Sequence, residues 1–177
     1  MADAAGVAVG EVSTTMENAK DTFYITVRNR LATVNPNRTM VVRAVTRPGI
    51  RVEEAEAPTA QLPLDVFVLR WTKLGADIQL PSILTQLTCE IHYATAGTQA
   101  SSGLDRGRAL EEMDDELLQI LCPPSTTKIN YTQTPAAQMG TCIFWSDAIF
   151  SATTITRERL ARVATVNVFA FQEQGEK

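Results

Sequence analysis

Histidine and cysteine are scarce in this 177-residue chain, and their scarcity removes several kinds of chemistry at once. His92 is the only histidine, so no multi-histidine metal site can form, and Ser-His-Asp catalysis would rest on that ring alone. Cys89, Cys122 and Cys142 are an odd number at wide spacing with no C-x-x-C pair. They form neither a disulfide framework nor a zinc ligand set, and three reduced, mostly buried thiols are expected. Neither G-x-G-x-x-G nor G-x-x-x-x-G-K-[ST] occurs. The nearest approach, Gly103-Leu104-Asp105-Arg106-Gly107, carries an aspartate that would repel an anion. The longest charge-free stretch, 129–146, contains Asn130, Gln133, Pro135 and Gln138, which excludes a membrane-spanning helix. Residues 1–10 lack both a basic region and an apolar run, so no secretory signal is expected. The protein is read as soluble and intracellular at synthesis, with no membrane partner.

What is present is ordinary globular material, 45% apolar and 20% charged. The length suits one domain, 1–177, with a flexible arm over 1–13 and a frayed end over 173–177. Thr14 followed by Glu17 fits a capping box. Met16, Ala19, Phe23, Val27, Leu31 and Val34 then recur every three or four residues, predicting a helix that Asn35-Pro36 stops. Residues 38–45, 49–54 and 65–71 read as strands. Over 84–95 the alternation is clear: Leu87, Cys89, Ile91 and Tyr93 share one face, and Thr88, Glu90 and His92 the other. A solvated His92 beside Glu90 is the expectation. Ser102 and Asp105 start a second helix, with Leu104, Leu110, Met113, Leu117, Ile120 and Leu121 on one side, ended by Cys122-Pro123-Pro124. Three more strands are predicted at 128–133, 141–145 and 160–172, with a possible helical turn at 153–159. Few connections are long enough for parallel crossovers. The fold class is α+β: a mainly antiparallel sheet with two principal helices packed on one face.

The formal charge of −4 weighs against a general nucleic-acid surface, and the segment 38–51 has no aromatics to stack bases. No sequence-specific nucleic-acid binding is expected. The charge is also unevenly placed. Residues 1–88 carry nine basic and nine acidic side chains, whereas 104–121 carry two arginines against six acids, a net of −4. The acidic run Glu111, Glu112, Asp114, Asp115, Glu116 does not converge on a metal, because successive residues diverge by about 100° around a helix. A solvated helix face is the plain reading. Asp114 alone falls inside the apolar arc, so it either sits at the core rim, hydrated or paired with an arginine, or makes a contact across a subunit interface.

Arg28, Arg30, Arg38, Arg43, Arg47 and Arg51 make the region from the first helix into the first strands basic. Of these, Arg43, Arg47 and Arg51 are set against Glu111, Asp114 and Asp115 of opposite sign. Unlike patches on one subunit pair head to tail, and such contacts close into rings when the rotation allows. These six opposed residues are the subunit-interface candidates. No catalytic residue, cofactor or metal ligand is proposed. A pocket lined by Trp71, Tyr93, Phe144 and Trp145 would make the protein a small-ligand module instead.

The order of parts carries a resemblance. A helix ends in Val-Arg-Asn-Arg-Leu-Ala-Thr-Val-Asn-Pro (27–36), and an alternating strand (84–95) runs into Gly-Leu-Asp-Arg-Gly-Arg-Ala-Leu (103–110) and an amphipathic helix. A long last strand (162–171) closes the chain. In layout, size and α+β character this resembles the tail terminator and neck (head–tail joining) proteins of tailed bacteriophages. The resemblance implies a structural virion protein, not an enzyme. Such a protein forms a homo-oligomeric ring, usually a hexamer, on the end of the tail tube. Its partners are the tail tube protein and the head–tail connector proteins. It implies localisation in the virion tail or neck after assembly in the host cytoplasm. A tail tube or head completion protein would share the layout. The loops 53–64 and 95–102 are candidates for tube or neighbour contact.

Overall fold

Apolar side chains three and four residues apart give the first helix, α1 (Thr14–Val34), one face to bury. Ala19, Phe23, Val27 and Leu31 on that face are fully covered. The computed structural model describes residues 14–53, 61–79, 82–98 and 104–173, with only the backbone of 14–16. The Thr14 side chain of the expected capping box, the 1–13 arm and residues 174–177 lie outside the described residues. So do 54–60 and 99–103, and with them most of the two loops singled out for contacts.

After α1 come β1 (Thr39–Val42), β2 (Val45–Pro48), β3 (Ile50–Val52), β4 (Phe67–Asp77) and β5 (Leu84–Thr95). The second helix, α2 (Leu104–Leu121), follows. β6 (Ser125–Asn130), β7 (Ala137–Trp145), β8 (Ile149–Phe150), β9 (Thr154–Ile155) and β10 (Leu160–Phe171) complete the fold. The main sheet runs β3-β4-β5-β10-β7-β6, with β8 and β9 also paired to β10. It is a curled, mixed sheet: β3 and β4 are parallel and the other described pairings antiparallel. The fold is therefore α+β, as the pattern of helices and strands predicts.

The strand β5 spans the predicted residues and pairs along its whole length with β10. Its odd-numbered residues Leu87, Cys89, Ile91 and Tyr93 join Ala164, Val166, Val168 and Ala170 of β10 on one buried face. Both helices contribute to the same core. Phe23 of α1 meets Trp71 and Trp145 edge-on, at ring separations of 5.8 and 5.2 Å, and Met113, Leu117 and Ile120 of α2 are fully covered. Trp71, Tyr93 and Trp145 are thus core-side residues. Phe144 points to the opposite sheet face, where it stacks on Phe169 at 5.3 Å. The four aromatics do not line one pocket.

The segment 38–45 is not a single strand. Arg43 and Ala44 both take left-handed backbone angles, φ 50° and 64°, so the chain reverses there and β1 pairs with β2 as a separate two-stranded hairpin. Two successive left-handed residues give the twist that tight hairpins need, and Arg-Ala carries none of the Asn-Gly signature. The 153–159 region holds a short strand, β9, against β10. Of the three thiols only Cys89 is buried; Cys122 and Cys142 are exposed. Glu173, expected in the frayed end, is held fast. Its carboxylate accepts from the Gly140 and Thr141 amides at 3.0 and 2.6 Å and from the Thr141 hydroxyl at 2.6 Å. Partial burial opposes its charge, but these bonds and nearby Lys128 hold its carboxyl below the usual range.

Candidate functional site

The acidic helix divides into an inward pair of carboxylates and an outward stripe. With Leu110, Met113, Leu117 and Ile120 facing the core, the 100° turn per residue sets Asp114 at one border of that arc and Glu116 at the other. Each border carboxylate meets an arginine from another element. Asp114 accepts from Arg162 of β10 and from the Tyr93 hydroxyl of β5. Burial, then the Asp114 carboxylate, push the Tyr93 phenol far above its ordinary range. Asp114 is thus a core-rim residue paired with an arginine, within the subunit.

Glu116 departs from the solvated helix face expected of the acidic run. It is 5% exposed, accepts from Arg38 through both oxygens, and takes the Asn35 amide at 2.5 Å. Asn35 also turns the chain after α1, its side-chain oxygen accepting from the Asn37 and Arg38 amides at 3.1 and 3.2 Å. Gly49 makes room for this clasp, because a Cβ there would lie 3.1 Å from the Arg38 side chain. The C-terminal end of α2 is fixed by donors as well. Arg30 reaches the carbonyls of Ile120 and Pro123 at 3.0 and 2.8 Å, and Trp145 Nε1 donates to Leu121 at 2.8 Å. These bonds satisfy the carbonyls a helix end leaves open.

Glu111, Glu112 and Asp115 remain on the outside, exposed and without an ion pair among the described residues. Glu111 and Asp115 lie four apart on one line with Leu118, which is 50% exposed, and with Leu104. Leu104 is not on the core side expected for it but 66% exposed, its place on the helix turned about 120° from Leu110. Exposed Arg108 lies beside this line, four residues after Leu104 and three before Glu111, so the acidic and apolar part of the stripe is its 111–118 half.

The basic candidates separate in the same manner. Arg51 is buried, 7% exposed, in β3. Arg43 sits exposed in the hairpin turn, and Arg47 is half-buried on β2. Together with Arg28, whose guanidinium lies 5.6 Å from the Tyr24 ring, they line a cavity of about 420 Å³ between α1 and the hairpin. Its other walls include Val42, Val45 and Val52. Among the described residues, the charged side chains lining this cavity are Arg28, Arg43 and Arg47.

Of the six interface candidates, the fold therefore presents Arg43, Arg47, Glu111 and Asp115 toward the surface, and keeps Arg51 and Asp114 inward. Arg28 belongs to the basic region read from the sequence but is not among the interface candidates; its signal is the helical face it shares with Tyr24, four residues earlier. His92 lies on the face the alternation gives it, its Nε2 3.0 Å from Glu90, but its side chain is 17% exposed, half-buried and not solvated. Among the described residues no group of three or more His, Cys, Asp and Glu side chains is placed to hold a metal ion. No described helix is long and apolar enough to cross a membrane. No protein-family model matches the chain, and no curated protein matches its sequence.

Proposed function

We propose that this chain is a structural ring subunit, closing head to tail with copies of itself at the end of a phage-like tail tube. The ring, of six subunits by the resemblance in layout, stops tube growth and offers the joint to the head. The reading gives the chain no catalytic role and places it in the virion, with the tail tube protein and the head–tail connector as neighbours.

The observation that supports it is the polarity of the subunit: a basic hairpin and cavity on α1, and an acidic stripe on α2, in one fold. Two unlike patches on one body favour heterologous contacts, which either close as rings or run on as filaments. The clasps at Glu116 and Asp114 keep α2 fixed, so the stripe is offered as a pre-ordered surface with little ordering cost on association.

Electron microscopy of tail-tube protein polymerised with and without this chain tests the reading. Tubes of limited length, each ended by an added ring, are expected. Tubes that grow unchanged, with no density added at their ends, would contradict it.

A further inference from the structure

We infer that the cavity between α1 and the β1–β2 hairpin is the seat for the outward stripe of α2 from the next copy of the chain. This rests on the ring reading and names the contact that would build the ring.

The two surfaces match in charge and in the placing of apolar groups. Arg28 and Arg43 bring positive charge to a cavity whose other described walls include Val42, Val45 and Val52. A suitable occupant is a carboxylate flanked by an aliphatic side chain, since arginine bonds carboxylate oxygens in a planar fork and valine walls gain from apolar cover. The 111–118 half of the α2 stripe has that composition, with the exposed Arg108 lying before it. Glu111 and Asp115 are exposed on one line, with Leu118 half-exposed directly beyond them and Leu104 at the other end. From Leu104 to Leu118 the stripe runs about 21 Å at 1.5 Å per residue. On the receiving side Val45, paired across the hairpin with Val42, is 62% exposed and offers apolar contact at the mouth of the cavity.

An isolated two-stranded hairpin is marginal in water, so a neighbouring copy laid against it also gives the hairpin a second packing surface. The contact is a helix laid in a groove, and the two faces differ, so each subunit gives a stripe to one neighbour and a cavity to the other.

The experiment is a charge exchange between two full-length variants. The first carries Arg28→Glu and Arg43→Glu; the second carries Glu111→Arg and Asp115→Arg. Each alone sets like charges across the contact, and each is expected to raise the concentration at which rings dissociate by about tenfold or more. When the two are mixed in equal amounts and alternate around the ring, the acidic cavity of the first variant meets the basic stripe of the second at half the contacts. At the rest, the unaltered basic cavity of the second meets the unaltered acidic stripe of the first. Rings of alternating composition are therefore expected to return, which also demonstrates that both variants fold. Wild-type-like rings in either variant alone, or no recovery on mixing, would overturn the seat while leaving the ring reading in place. A wild-type chain that stays monomeric at every concentration would instead overturn the ring reading itself.

Discussion

Replacing Glu116 by glutamine is expected to lower folding stability by about 3–5 kcal/mol, among the largest effects available to a single side chain here. The Arg38 side chain is 9% exposed and receives its compensating charge from this carboxylate. Glutamine keeps the size but leaves the guanidinium buried opposite a neutral group, and it disturbs the oxygen that the Asn35 amide reaches. For a chain of this length, each kcal/mol corresponds to about 2–4 °C, so the thermal midpoint is expected to fall by about 10 °C. Glu111→Gln, on the outward stripe of the same helix, is the control. It is expected to change stability by less than about 0.5 kcal/mol. Denaturant unfolding of the two variants makes the comparison, and equal midpoints would show that the Arg38 clasp contributes little.

Phe23→Ala is expected to cost about 3–5 kcal/mol, from lost burial and from the space left behind. Phe23 is fully covered, and its ring lies edge-on between Trp71 and Trp145, at interplanar angles of 69° and 82°. It joins α1 to both ends of the core, β4 on one side and β7 on the other. Removing it admits solvent to two tryptophans at once, so a red shift of the native fluorescence should accompany the loss of stability. A variant with wild-type emission and an unchanged unfolding midpoint would mean that the core does not depend on this ring.

The parts of the fold set by local pattern were legible in the residues. The α1 stripe from Ala19 to Leu31 and the alternation from Leu87 to Tyr93 each follow from one element's own period. The strong stops at Pro36 and Pro123 fixed where the helices end. The parts set by distant partners were not. Arg43 and Ala44 hold left-handed angles that neither residue type favours, so nothing at those positions announces the hairpin. The outer half of β4 is exposed and carries Lys73, Leu74 and Gly75, a sequence that becomes strand through pairing with β5.

The candidate site divides along the same line. Asp114 stood out because one helical wheel puts a carboxylate among leucines, and its arginine partner is there in Arg162. Glu116 did not stand out, because its burial is made by Asn35 and Arg38, about eighty residues earlier in the chain. Once those two carboxylates are assigned inward, the acidity of α2 reads differently. Of the run 111–116 only Glu111, Glu112 and Asp115 face outward, and Glu111 and Asp115 share their line with leucines. A charged helix face becomes a narrow outward stripe.

Multi-angle light scattering of the full-length chain across a range of concentrations tests self-assembly most directly. A single closed species is expected, with a mass about six times the 19.4 kDa subunit and a dissociation point that shifts with salt. A monomer whose mass is independent of both concentration and salt would contradict it.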